Sequence, residues 1–221
     1  MRWGLLLPDI GRMIRLLSEH PGHFFSNWWF TFAVSFTASV LALFLALLIS
    51  IIALRVRLVD LVLAPTVAMS QSFPLQAIAP IIIIVMGVGL HTKLSIAFVI
   101  AFFPIYSACL TALKTTPRPI NAYLAICRAP FWSGVLRCRI PAALPALTSA
   151  TKVGFTLAVL GAVVAEFIQP DRGLGHLILV AQSNYDVDVI YICVAFLLVQ
   201  GLVVYGTLSY VEARLIANRR H

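Results

Sequence analysis

Charged residues are scarce in this sequence, and their scarcity excludes most classes of soluble protein. Asp, Glu, Lys and Arg together make up 11% of the 221 residues, whereas 61% of the residues are hydrophobic. Soluble domains carry about 25% charged and about 45–50% apolar residues, so this chain is predicted to be an integral membrane protein. The apolar runs are too long and too uniform for the alternating strands of a barrel, which leaves membrane-spanning α-helices.

Acidic residues are half as frequent as basic ones, and the formal net charge is +8. In a soluble chain such a charge would suggest nucleic acid binding, but in a membrane protein it indicates basic cytoplasmic loops, and no nucleic acid partner is predicted. The sequence also lacks a GxxxxGK[ST] run, a CxxC pair and any clustered set of Ser, His and Asp. We therefore predict no catalytic site, no metal site and no nucleotide site on this chain.

Five segments are long and apolar enough to cross a bilayer, which takes about 20 residues per helix. The second segment contains Pro65, Pro74 and Pro80, which predict a short helix followed by a spanning helix from about Pro74. The predicted fold class is therefore an all-α polytopic membrane helix bundle of about five spanning helices. The predicted spans cover residues 28–54, 61–90, 94–113, 149–168 and 189–211.

Residues 114–152 contain six basic residues and no acidic one: Lys114, Arg118, Arg128, Arg137, Arg139 and Lys152. The excess of Lys and Arg on cytoplasmic loops places this segment inside the cell. With five spans, eleven of the 16 Lys and Arg residues then lie inside, the N-terminus lies outside and the C-terminus is cytoplasmic. The predicted organisation is an extracytoplasmic segment 1–27, a membrane domain 28–212 containing the loop 114–148, and a basic tail 213–221.

The N-terminal segment reads as an amphipathic helix, because Ile10, Met13, Ile14 and Leu17 recur at helical spacing opposite polar residues. We predict that this helix lies on the outer membrane surface.

Several short motifs between residues 63 and 175 occur in the order and spacing of one family of transport proteins. They are Leu63-Ala64-Pro65-Thr66, Ala79-Pro80-Ile81, Gly87-Val88-Gly89, Phe102-Phe103-Pro104-Ile105, Ile140-Pro141-Ala142-Ala143-Leu144-Pro145, Val164-Ala165-Glu166 and Gly173-Leu174-Gly175. In these motifs the chain resembles the permease subunits of bacterial ABC importers, of the aliphatic sulfonate, taurine and nitrate type. The resemblance implies the type I importer transmembrane fold in the bacterial inner membrane.

The resemblance also implies that the basic loop holds a short coupling helix that docks on an ATPase subunit. The family pattern there is Glu-Ala-Ala, then Gly four residues later, closed by a Leu-Pro that corresponds here to Ile140-Pro141. Counting back places the Glu position at Ala122 and the Gly position at Arg128, whereas a shift of one residue places them at Asn121 and Cys127. Neither register restores Glu or Gly.

Two expectations follow for the loop. Ala129-Pro130 is expected to break the helix where the family has Gly. Tyr123, Phe131 and Trp132 are expected to anchor the ATPase, with Arg128 beside them, since aromatic residues and Arg are frequent interface hot spots. The alternative is that these aromatic residues lie at the lipid interface.

Polar residues within the spans are candidates for the translocation pathway, because polar groups in a bilayer face a cavity or another helix. We predict this role for Gln71, Gln76 and Glu166. The alternatives are that the glutamines only bond to a neighbouring helix and that Glu166 lies in interfacial water.

By the resemblance, the chain is the transmembrane subunit of an importer for a small organic anion or a vitamin precursor. A second permease copy, two ATPase subunits and an external binding protein are its implied partners, and ATP and Mg²⁺ bind only to the ATPases. One alternative is a paralogue that no longer couples to an ATPase and serves as the structural partner of an active permease. The other is a self-sufficient secondary transporter or channel, which predicts intramembrane charge pairs, and the sequence suggests none.

Overall fold

Long helices dominate the computed structural model of the chain, which describes residues 8–56, 58–59, 61–63, 65 and 75–217. No strand occurs in this part of the chain, as predicted for an all-α protein. The helices are α1 (Ile10–Glu19), α2 (Pro21–Arg55), α3 (Ala79–Met86), α4 (Leu90–Lys114), α5 (Arg118–Ile126), α6 (Phe131–Gly134), α7 (Ile140–Ile168), α8 (Leu174–Ser183) and α9 (Val187–Ala217).

Four helical stretches within the described ranges are long and apolar enough to cross a membrane. They are Pro21–Arg55, Leu90–Lys114, Phe131–Ile168 and Val187–Arg214, and each contains one of the predicted spans. The third is longer than predicted because α6 runs through a π-helical turn, Val135–Arg139, directly into α7.

The second predicted span has a different form. Here the described residues give a 3₁₀ turn, Leu75–Ile78, and then α3, which ends at Gly87 with φ of 78°. Eight residues of α-helix extend only about 12 Å, less than the thickness of a bilayer. The first half of this predicted span lies mostly outside the described residues.

Small residues bring α2, α4 and α7 into close contact at the centre of the bundle. Ala38, Ala42 and Ala46 form a fully buried row on α2. Between α4 and α7 the backbones nearly touch, because a Cβ added at Gly161 would lie 2.7 Å from the Cα of Ala97. Small residues permit this approach, and helix association in lipid depends on such packing because the hydrophobic effect contributes little there.

The direction of the helices defines two ends of the bundle. At the end that we call the loop end, the Arg55 guanidinium at the end of α2 lies 5.6 Å from the ring centroid of Phe131 in α6. At the opposite end, Lys93 near the start of α4 pairs with Asp171, just after α7. Arg55 and Lys93 therefore lie at opposite ends, and the chain between them returns from one end to the other.

Helix α1 packs against the bundle at the opposite end, which the amphipathic pattern alone did not predict. Arg12 forms ion pairs of 3.1 Å with both Asp186 and Asp188, next to the start of α9. Met13 and Leu17 pack on a small apolar cluster formed by α2, α8 and α9. The other two residues of the predicted apolar face, Ile10 and Ile14, remain 70% and 63% exposed.

Candidate functional site

The basic loop begins with a tightly capped turn. After α4, Thr116 donates its hydroxyl to the carbonyl of Leu113 at 2.8 Å, and Asn121 donates its amide to the carbonyl of Thr116 at 3.1 Å. Pro117 precedes α5 and Pro119 lies in its first turn, where a missing N–H costs nothing and the fixed φ favours a helix. This turn therefore ends α4 and starts α5 as a separate helix.

Helix α5 ends in a Schellman motif whose left-handed position is Arg128. Its φ is 44°, whereas Cys127 has φ of −76°. The N–H of Arg128 donates to the carbonyl of Ala125 and that of Ala129 to the carbonyl of Leu124, both at 3.2 Å. These two bonds define the motif, and its left-handed position is usually a glycine.

This geometry separates the two registers left open by the sequence. Only Arg128 has the backbone conformation that favours Gly, so the register with Ala122 at the Glu position fits the structure. The expected break at Ala129-Pro130 explains where α6 begins but not how the chain reverses. Pro130 directly precedes α6, but the reversal of the chain depends on the positive φ of Arg128.

Helix α6 folds back onto α5 through Gly134. A Cβ added at Gly134 would lie 3.2 Å from the Cδ2 of Leu124, so the small residue permits the two short helices to pack closely. A groove of about 250 Å³ remains between them, next to Arg128. It is lined by Leu124, Ala129, Pro130, Phe131, Gly134, Val135 and Arg139.

A second, wider groove of about 530 Å³ runs along the other side of α5. Tyr123 and Arg137 line it, together with Pro141 at the start of α7. A hydrogen bond to the thiol of Cys127 raises the pKa of Tyr123 above its usual value. The remaining lining residues are Pro119, Ile120, Cys138 and Ala142.

The predicted loop residues differ in exposure. Ala122 and Arg128 are exposed, and Tyr123 and Trp132 are exposed by 59% and 51%. Phe131, the third aromatic residue predicted to anchor the ATPase, is less exposed than these two. It is half-buried, packs on the central core and lies under the guanidinium of Arg55, so it supports the loop from beneath.

The two residues of the predicted exit motif, Ile140 and Pro141, are both half-buried at the start of α7. Ile140 packs against the central core, as Phe131 does.

At the opposite end of the bundle, side chains from α2 and α7 cap the start of α8. The N–H of Gly175 donates to Glu166 Oε2 at 2.8 Å, and that of Leu174 donates to Thr31 Oγ1 at 2.8 Å. The N–H of Gly173 donates to Asn27 Oδ1 at 2.9 Å. Three backbone donors that have no partner within their own helix are thus satisfied by side chains of other helices.

Glycine is required on both sides of Leu174 for this cap. Gly173 has φ of 118°, and a Cβ there would lie 2.1 Å from Glu166 Cδ. A Cβ at Gly175 would lie 2.8 Å from Glu166 Cβ and 2.9 Å from the Val163 carbonyl oxygen. The Val164-Ala165-Glu166 and Gly173-Leu174-Gly175 motifs are therefore two halves of one contact.

An ion pair adjoins the cap. The fully buried Lys93 pairs with Asp171 and donates to the carbonyl of Arg172 at 3.0 Å. Burial alone would raise the pKa of Asp171, but the hydrogen bond and positive charge of Lys93 outweigh it and hold that pKa below its usual value. The Phe30 ring contacts two cations, with its centroid 5.0 Å from Lys93 Nζ and 5.1 Å from Arg172 Cζ.

The three residues predicted to line the translocation pathway, Gln71, Gln76 and Glu166, differ in what the structure shows. Glu166 is 0% exposed and hydrogen-bonded within the cap, so the alternative that it lies in interfacial water is wrong. For the same reason it lines no open pathway in this conformation. Gln71 lies outside the described residues. Gln76 belongs to the 3₁₀ turn before α3, and its side chain lies outside them as well.

One pair contradicts the expectation of no charge pairs between spans. Lys152 of α7 lies 2.5 Å from Glu212 of α9, and both side chains are largely buried. Ser149 also donates to Glu212, at 3.3 Å, and the Tyr205 ring centroid lies 5.0 Å from Lys152 Nζ. Glu212 follows the apolar part of α9, so its pairing with a lysine 60 residues earlier left no sequence signal.

Comparison with known proteins identifies a family. The model described as "Binding-protein-dependent transport system inner membrane component" matches residues 38–217, which include the loop and, of the cap, Glu166 and residues 173–175.

Curated relatives agree with this family. The riboflavin transport system permease protein RibX of Chloroflexus aurantiacus is 35% identical over 73% of this chain and 60% of its own length. A probable ABC transporter permease protein of Haemophilus influenzae is 32% identical over 72% of this chain and 65% of its own length. The formylaminopyrimidine transport permease protein ThiX of Halalkalibacterium halodurans is 24% identical over 97% and 86%. The chain thus spans less than two thirds of the length of the first two relatives.

The fold also matches a solved structure. An inward-facing structure of the MetNI methionine ABC transporter superposes with a TM-score of 0.75 over 87% of this chain and 96% of that chain. Sequence identity is 17%, so this comparison establishes the fold alone, and the predicted type I importer fold is confirmed.

Proposed function

The chain belongs to the family of binding-protein-dependent transport inner membrane components, the ABC importer permeases, and from this premise we propose how it works. It forms part of the translocation pathway of an importer and couples to ATPase subunits through the loop 114–148. ATP hydrolysis takes place on those partner subunits, which also bind ATP and Mg²⁺.

The loop geometry carries the proposal. Two short helices, α5 and α6, project from one end of the bundle, are joined by a hydrogen-bonded reversal at Arg128 and are flanked by two open grooves. The loop returns without a break into the spanning helix α7. A push or pull on α5 and α6 is therefore transmitted to a membrane helix as a rigid element, as a coupling device requires.

The proposed assembly and substrate follow from the family. A second permease copy completes the pathway, and an external binding protein delivers the substrate. Among the relatives, one is named for riboflavin and another for formylaminopyrimidine. Those names support a small heterocyclic vitamin or vitamin precursor, within the broader class of small organic solutes.

The proposed orientation places the loop end in the cytoplasm and the opposite end outside. Arg55 and Arg214 lie at the loop end with the basic loop, so the surplus of basic residues falls on the cytoplasmic side. The cap of α8 and the Lys93–Asp171 pair then lie on the side of the binding protein.

Co-purification of the chain with candidate ABC ATPases, followed by ATPase measurements in proteoliposomes, tests the proposal. Replacing the exposed aromatic residues, Tyr123→Ala with Trp132→Ala, is expected to lose ATPase association while the membrane domain remains folded. Trp29→Ala is the matched control, because Trp29 is similarly exposed, by 54%, at the opposite end. Retention of the ATPase by the loop variant, or its loss in the control, would count against docking through this loop.

A non-coupling permease paralogue is the second candidate, favoured by Ala122 where the resemblance has Glu. It predicts that no ATPase co-purifies with this chain alone, but that one does when a second, coupling permease is co-expressed. Transport in the absence of any ATPase would instead indicate a self-sufficient transporter, for which the Lys152–Glu212 pair would be the first residues to examine.

A further inference from the structure

Docking through aromatic residues does not explain the exposed Arg128 at the turn between α5 and α6. We infer that Arg128 is the cation by which the loop binds a carboxylate in the docking groove of its ATPase partner. The inference rests on the proposed function and adds the chemistry of the partner. The docking groove of the ATPase carries an acidic residue where it contacts the turn between α5 and α6.

The backbone at Arg128 gives the first reason. A φ of 44° is the left-handed conformation, which glycine adopts freely and a long side chain adopts only under strain. Such strained positions cluster at functional sites, and an outlier of this kind indicates a role for the side chain. The reversal itself needs only the backbone, since both hydrogen bonds of the Schellman motif come from main-chain N–H groups.

The environment of the side chain gives the second reason. Arg128 is exposed, and among the described residues no hydrogen bond or ion pair involves its guanidinium. The strain is thus not offset by any hydrogen bond or ion pair of the side chain within this part of the chain. A carboxylate of a partner protein could supply the contact that the described residues do not.

The charge of the loop gives the third reason and identifies the partner's chemistry. Residues 114–152 contain no Asp or Glu, and Arg137 is exposed on the same loop. Glu212, an acid described at this end, is already paired with Lys152. Because an Arg guanidinium binds a carboxylate with two parallel hydrogen bonds, a carboxylate of the ATPase is the complementary group.

The position of the turn is suited to such a contact. Arg128 lies between α5 and α6 at the point of reversal, directly next to the groove lined by Ala129 and Pro130. Ala122, one and a half turns earlier on α5, is small and exposed, so no acidic side chain of the loop itself competes for the guanidinium.

Three substitutions at this position separate charge from backbone geometry. Arg128→Lys keeps the charge, Arg128→Gly removes the charge and relieves the backbone, and Arg128→Glu reverses the charge. The measurement is the affinity of the purified chain for its ATPase in nanodiscs of neutral lipid, at low and at high salt. Arg15→Glu is the control, because Arg15 is an exposed arginine at the opposite end.

We expect Arg128→Glu to weaken ATPase binding by about tenfold or more and Arg128→Gly to weaken it less, while Arg128→Lys stays near wild type. High salt should weaken wild type more than Arg128→Gly, since salt screens charge pairs at an exposed surface. A carboxylate-to-lysine change in the ATPase groove should restore binding to Arg128→Glu.

Two outcomes would overturn the inference. The first is that Arg128→Gly binds the ATPase as tightly as wild type at both salt concentrations, which would leave docking intact without a role for this charge. The second is that the effect of Arg128→Glu appears only in nanodiscs of anionic lipid, which would make the membrane surface the acidic partner. Failure of wild type to bind any ATPase is a different result, and it would refute the proposed function itself.

Discussion

Replacing Glu166 by leucine tests whether this side chain holds α8 in place. Leucine nearly matches the volume of glutamate but accepts no hydrogen bond. The N–H of Gly175, now 2.8 Å from Glu166 Oε2, would lose its partner in a fully buried position. The Thr31 hydroxyl would keep one, because the carbonyl oxygen of Asn27 lies 3.2 Å away.

The expected magnitude follows from this count. One buried donor left without an acceptor costs about 1–3 kcal/mol, so Glu166→Leu should lower the free energy of unfolding by that amount. Glu166→Gln nearly keeps the volume of the side chain and keeps one acceptor oxygen for the Gly175 N–H, so it should cost less than the leucine substitution. The predicted order of stability is therefore wild type, then Gln, then Leu.

Chemical unfolding in detergent measures the total effect, and hydrogen exchange at the Gly175 amide measures the local one. Faster exchange at Gly175 in the leucine variant, with little change in the centre of α7, would identify the cap as the site of the loss. Glu19→Leu is the control, since Glu19 is exposed on α1. Equal stability of wild type and Glu166→Leu, together with unchanged exchange at Gly175, would refute the reasoning.

Three further predictions concern the same polar contacts. Gly173→Ala should prevent recovery of monodisperse protein in size-exclusion chromatography, because its φ of 118° and the overlap with the carboxyl group beneath it act together. Glu212→Leu should destabilise the chain in thermal unfolding, because it leaves the largely buried Lys152 unpaired. The double variant Glu212→Leu with Lys152→Met should recover most of the lost stability. No recovery in the double variant would argue against this pairing. The pKa of Asp171 is lowered in the folded protein, so the stability from its pair with Lys93 is present at neutral pH and is lost as the pH falls through that lowered pKa. Asp171→Asn should remove this acid-dependent part when the free energy of unfolding is measured against pH. An unchanged pH dependence in the variant would contradict the prediction.

The long helices were predictable because a bilayer imposes a simple rule on sequence. Apolar runs of about 20 residues mark the spans, and the structure extends the first predicted span back to Pro21 and the fourth back to Phe131. The proline-interrupted segment before Gly87 was harder to predict. Apolar composition indicates how long an apolar segment is, but not where a helix starts again after a break.

The polar contacts were less predictable, because they join residues that are far apart in the chain. Thr31 and Glu166 are separated by 135 residues, and Lys93 and Asp171 by 78. Sequence patterns show the periodicity within one helix, but they do not show which helices pack together or which residues face each other across the contact. Arg128 is the intermediate case: counting back from Ile140-Pro141 gave two registers, and only the backbone angle distinguishes them.

The interlock of Gly173 with Glu166 also constrains how this chain can change over evolutionary time. Losing Glu166 would free the space that a side chain at position 173 needs, yet the left-handed backbone there would still disfavour one. Replacing Gly173 first would displace the carboxyl group and leave the start of α8 without its acceptor. A substitution at either residue is therefore unfavourable while the other is kept. Homologues that keep this short helix should keep both residues or replace the whole segment.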